Sequence, residues 1–156
     1  MSQKALSVIL RVICALCCIV LGFVIYCDIF LGGNLFFGEE SRLYYFSETV
    51  VAVCAAAVIA AVIIAWRMFS DIGRNLSFTD KNAKRLSIIS GLFLADTVIF
   101  VIFFGIAVFS GEELGLMSIV MMGIIFIGVS LSVICACLSH LIKKAAEIEK
   151  ENELTV

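Results

Sequence analysis

Asp96 lies about ten residues into an apolar stretch, 86–109, where a carboxylate is costly unless it is paired, hydrated or protonated. Such a group can hold a proton or a cation. It can equally sit neutral and hydrogen-bonded, ordering the helices around it. Ser130, in the stretch 116–138, falls at a similar depth and is the expected hydrogen-bond partner, whereas Thr97 points elsewhere on its helix. No Lys, Arg, His, Asp or Glu stands at matching depth in another stretch, so a proton relay lacks its second member. A small transporter or channel subunit using Asp96 is the alternative reading this residue keeps open.

The other candidate chemistry is thiol chemistry. Seven cysteines lie in apolar stretches: Cys14, Cys17, Cys18, Cys27, Cys54, Cys135 and Cys137. Cys14, Cys17 and Cys18 share one helical face, a spacing that suits a metal or redox pair, and Cys135 and Cys137 are placed to approach them. Thiols buried in lipid, however, behave as small unreactive hydrophobes. The single histidine, His140, lies at the far end of the fourth stretch. A thiol-based membrane sensor is thus a second alternative, and Cys27 is the expected target of any oxidation at the outer surface. No metal ligand set and no cofactor site is expected. The polar segments contain no nucleophile–base pair or glycine-rich phosphate loop, so an enzyme is the class least expected.

The elements that must position these groups are four apolar stretches, 12–31, 46–66, 86–109 and 116–138, in a chain of 156 residues. Each is about as long as the roughly 20 helical residues that cross a bilayer core. Hydrophobic residues make up 63% and charged residues 15%, too few charges for a chain folded in water. Proline is absent, so the spans should run without proline kinks. The basic residues are few and sit at membrane ends, which argues against direct nucleic-acid binding. The first stretch exceeds a signal-peptide core and lacks a small-residue cleavage site, so an uncleaved anchor is expected.

Charge gives direction. Of the 11 Lys and Arg residues, all but Arg42 fall in alternate segments: Lys4 and Arg11; Arg67, Arg74, Lys81, Lys84 and Arg85; Lys143, Lys144 and Lys150. The positive-inside rule places both termini and the middle joint in the cytoplasm, with Glu39, Glu40, Glu48, Glu112 and Glu113 outside. Tyr26, Tyr44 and Tyr45 suit the outer interface and Trp66 the inner one. The expected architecture is all-α, an antiparallel four-helix bundle integral to the cell membrane. It forms a single domain, 1–156, with a cytoplasmic helical tail at 139–156.

The joints differ in character. The segment 32–45, with Gly32, Gly33, Asn34 and Gly38, reads as an irregular loop, and 110–115 as a tight turn. Thr79 reads as an N-cap with Asp80 at the positive end of the helix dipole, so the third helix should start there and enter lipid near Leu86. Phe78 and Ala83 weakly resemble a hydrophobic staple. In the second stretch, Ala52, Ala56 and Ala60 let a second helix approach closely. They are read first as an intramolecular packing face and alternatively as a homo-oligomer face. Gly128 and Ser132 offer a smaller surface of the same kind. Beyond Leu138 the fourth helix should continue, with Leu141, Ala145 and Ile148 forming a narrow apolar stripe, until Thr155 and Val156 leave it.

Two of these pieces together resemble a family. The run Ser77-Phe78-Thr79-Asp80-Lys81-Asn82-Ala83-Lys84-Arg85-Leu86 resembles the Phe-Thr-x-x-Asn-x-x-x-Leu element of the family called domain of unknown function 2975. The ending Glu151-Asn152-Glu153-Leu154-Thr155-Val156 is similar to that family's acidic-Asn-acidic-Leu-Thr-Val/Ile terminus. Ser77 stands where many members have proline. The resemblance implies a small bacterial membrane protein without assigned activity, often encoded beside a Cro/CI-type helix-turn-helix regulator. The expectation is a non-enzymatic multi-pass membrane protein that partners a cytoplasmic protein, such as a transcription regulator. Its candidate interaction motif is Phe78, Thr79, Asn82, Arg85, Asn152, Leu154, Thr155 and Val156.

Overall fold

The computed structural model describes residues 3–30, 43–74, 78–111 and 114–154. These form four helices: α1 (Gln3–Phe30), α2 (Tyr44–Ile72), α3 (Asp80–Phe109) and α4 (Gly115–Leu154). Among the described residues there is no strand. Long apolar runs without proline leave the helix as the element that satisfies every backbone N–H and C=O internally.

Among the described residues, three helices are long and apolar enough to cross a membrane: α2, α3 and, over Ser118–Asn152, α4. The most apolar 18 residues of these helices have mean hydropathies of 2.7, 2.6 and 2.6, yet at most 22% of any of these stretches is buried by the chain itself. Apolar surface this extensive and this exposed needs lipid around it. In α1 the described residues give a shorter apolar stretch, Ser7–Val20.

Consecutive helices pack on one another: α1 on α2, α2 on α3 and α3 on α4. One apolar cluster joins Val50 and Cys54 of α2 to Phe100, Phe103 and Ala107 of α3 and Met121 of α4. Phe103 lies at its centre, its ring 5.7 Å from Phe46 and 6.2 Å from Phe100. A second cluster joins Ala61 of α2 to Leu86 and Ile89 of α3, with Cys135 and Ile142 of α4 against it.

The α3–α4 seam is built from small polar residues. Ser90 and Ser132 hydroxyls each reach the other's backbone carbonyl, at 2.9 and 3.0 Å, and Ser139 Oγ donates to Ala83 O at 2.7 Å. Gly128 faces Thr97 so closely that an added Cβ would fall on Thr97 Oγ1. The small surface expected at Gly128 and Ser132 is therefore used, against α3.

Three expectations need correction. The alanine stripe does not form the intramolecular face of α2: Ala52 and Ala56 are exposed and Ala60 is half-buried. The buried face runs through Ser47, Val50, Cys54 and Ala61 instead, because Val50 and Cys54 meet the phenylalanines of α3 and Ala61 meets Leu86 and Ile89. Tyr44 and Tyr45, expected in a loop, already belong to α2; the chain enters it at Leu43, whose carbonyl accepts from Ser47 N at 2.8 Å. Phe78 is 55% exposed while Ala83 is buried, so no staple is made. The loop residues Gly32, Gly33, Asn34 and Gly38, together with Glu39, Glu40 and Arg42, lie outside the described residues, as do Glu112 and Glu113. In the remaining turn Gly111 has φ 74°, a conformation open to glycine at little cost.

Candidate functional site

The polar motif between α2 and α3 folds into a clasp. Thr79 is extended (φ −125°, ψ 147°) and its side chain accepts from Asn82 N at 3.4 Å, capping α3 as expected. Asp80 occupies the first turn, where its charge opposes the positive end of the helix dipole. Asn82 is fully buried, and its Oδ1 accepts from Arg85 Nη1 at 3.0 Å. The same Nη1 forms an ion pair with Asp71 Oδ2 near the end of α2. Leu86, one residue on, is buried in the second apolar cluster.

The chain Thr79–Asn82–Arg85–Asp71 thus ties the start of α3 to the end of α2. Both charged side chains keep about a quarter of their surface in solvent, so the ion pair fixes geometry more than it adds stability. Asp71 is the member that sequence reasoning missed. Its signal was its isolation: it is the sole acid between Arg67 and Arg74.

Helix α1 is fastened to the same region. Ser7 Oγ donates to Phe69 O at 2.6 Å, Arg11 Nη2 donates to Ser70 Oγ at 2.9 Å, and the Arg11 guanidinium lies 5.8 Å from the Trp66 ring centre. Gly73 permits this approach, since a Cβ there would stand 2.9 Å from Ser7 Oγ. One end of the helix array is therefore cross-tied by polar groups from α1, α2 and α3.

The terminal half of the expected motif is placed differently. α4 continues unbroken to Leu154, with Asn152 exposed on it, while Thr155 and Val156 lie outside the described residues. The structure brings Thr79, Asn82 and Arg85 together; Phe78 and Asn152 are exposed rather than joined to that clasp. On the tail, Leu141 and Ile148 are 60% and 52% exposed, and Ala145 between them is half-buried. This stripe lies on the side of α4 opposite Ser139 and Ala146, which face α3.

Deeper in the array, Asp96 meets a different neighbour from the one its depth suggested. Ser130 Oγ donates to Phe126 O of its own helix at 2.8 Å. The Cys54 thiol of α2 lies beside the Asp96 carboxyl, and Asp96 Oδ1 is buried with no hydrogen-bond partner among the described residues. Equal depth did not imply facing sides. Among the other thiols, Cys17 and Cys18 are exposed on α1, Cys137 is exposed on α4, and Cys135 packs into the second cluster.

The model of the family described as protein of unknown function (DUF2975) matches residues 37–156, which include the clasp and the tail. The chain belongs to that family. No curated protein and no solved structure matches it.

Proposed function

As a member of the DUF2975 family, the chain is, we propose, a non-enzymatic four-span protein of the cytoplasmic membrane that holds a cytoplasmic protein at the membrane surface. In this reading the four helices form an antiparallel bundle with both termini inside. The contact order along the α3–α4 seam supports it, since Ala83 meets Ser139, Ser90 meets Ser132 and Thr97 meets Gly128. The alternation of basic and acidic flanks supports the orientation. Polar residues of the clasp and the start of the tail then share the inner end.

The observation that carries the docking role is the stripe of exposed Leu141 and Ile148, with half-buried Ala145 between them, on a helix that runs to Leu154. From Leu138 to Leu154 the helix spans roughly 24 Å at its usual rise, enough to leave the headgroup region. An amphipathic helix held there suits a groove on a partner, with Leu141 and Ile148 as anchors. The partner favoured first is a helix-turn-helix transcription regulator, on the neighbourhood that the family resemblance implies.

Cross-linking and recovery from the host test this directly. The unaltered chain should retain a cytoplasmic protein, and the Leu141→Ser, Ile148→Ser double variant should lose roughly tenfold or more of it at equal membrane abundance. Equal recovery by both, or recovery by neither, contradicts the reading.

A further inference from the structure

A cleft of about 600 Å³ separates the first two turns of α3 from the tail of α4, on the side of the tail away from the Leu141–Ile148 stripe. Its walls carry Lys84 from α3 and Lys143 and Lys150 from α4, all exposed, with Ser87 beside them. Asp80 and Glu147 are the acids in the lining, leaving an excess of one positive charge. The floor is made of Ala83 and Ala146, whose small side chains leave the volume open, and the Ser139–Ala83 hydrogen bond holds the two helices together at its base.

Position selects the ligand. Lys84 stands two residues before Leu86, where the apolar run of α3 begins, and Lys143 stands five residues past Leu138, where that of α4 ends. Lys84 and Lys143 line the cleft from two helices near this height, with Lys150 two turns further along the tail, a placement that suits a phosphate at the membrane surface. One turn deeper on the face of Lys84, Ile88 is 47% exposed and offers an apolar seat for an acyl chain. The volume is within the range of small-ligand sites and admits a phosphoglycerol group.

We propose that this cleft is a binding site for the phosphate of an anionic phospholipid headgroup, held chiefly by Lys84 and Lys143, with Lys150 adding its charge from the outer end of the cleft. The proposal rests on the reading that this end of the helices lies at the membrane surface. It does not depend on a docked protein, because the tail presents its apolar stripe on the opposite face. Lipid bound in the cleft would brace the tail against α3 and so set the direction in which that stripe points.

The test uses the full chain, purified in detergent and offered equal amounts of phosphatidylglycerol and phosphatidylcholine, with bound lipid counted by native mass spectrometry. Phosphatidylglycerol should be retained preferentially. Lys84→Gln should weaken that retention about fivefold, and the triple Lys84→Gln, Lys143→Gln, Lys150→Gln variant by more than about tenfold. Lys84→Arg should keep it, as should Arg67→Gln, which removes an exposed charge from α2 outside the cleft. Equal retention of the two lipids, or an equal loss in Arg67→Gln, overturns the proposal. So does displacement by millimolar inorganic phosphate, which assigns the cleft to a free anion. Because no partner protein is present, a negative result here leaves the tail-docking experiment independent.

Discussion

Gly128→Ala should lower the melting temperature of the detergent-purified protein by several degrees, and Thr97→Ala in the same chain should restore most of it. The added Cβ would fall on Thr97 Oγ1. Thr97 has little freedom to yield: it is buried, branched at Cβ, and its hydroxyl donates to Phe93 O at 2.7 Å. Overpacking of this kind costs about 1–3 kcal/mol. Helices in lipid gain little from hiding apolar surface, so close approach at small residues carries much of their association. The paired substitution distinguishes a local collision from general intolerance of α4, because only the collision gives a strong coupling between the two positions. Unchanged melting of Gly128→Ala would contradict the described seam.

The second large effect is expected at Asn82. Asn82→Leu removes the acceptor for Arg85 at a fully buried position and leaves Arg85 to Asp71 alone. Loss of one partner of a buried hydrogen bond costs about 1–3 kcal/mol. Asn82→Asp keeps an acceptor and should be milder. Hydrogen exchange should show the difference locally, with protection lost over 79–86 in Asn82→Leu and largely kept over 116–138. Unaltered protection in the first turns of α3 would remove the clasp as the motif's structural role. Tail-dependent recovery of a partner, measured in the same variant, then shows whether the clasp also serves docking.

What could be read from sequence follows from how local each interaction is. The Thr79 cap, the start of α3 and the continuation of α4 past Leu138 rest on neighbours within a turn or two, and each is found where its residues predict. The Gly128 and Ser132 surface was legible for the same reason: small residues in a lipid-crossing helix have few other uses. Depth along a helix was also legible, but rotation about its axis was not. Counting residues placed Ser130 level with Asp96, yet Ser130 turns to Phe126 and the thiol beside Asp96 comes from α2. The alanine row failed similarly, since a second row on the same helix, Ser47 to Ala61, wins the contact with α3. Asp71 as the partner of Arg85 required the fold of the joint itself, and no periodicity announces it.

The cleft belongs to neither class. Its lysines read from sequence as topology signals. That they line one cleft floored by alanine is a property of the α3–α4 packing alone.

The orientation on which docking and lipid binding both depend is open to one direct measurement. In intact cells carrying Cys27→Ser, a membrane-impermeant maleimide would be applied to three single variants: Lys81→Cys at the α2–α3 joint, Glu151→Cys on the tail and Ser110→Cys at the α3–α4 turn. All three positions are exposed. The account predicts labelling of Ser110→Cys in intact cells, and labelling of Lys81→Cys and Glu151→Cys only after the membrane is opened. Labelling of either inner position from outside, or exclusion of the reagent from Ser110→Cys, would contradict it.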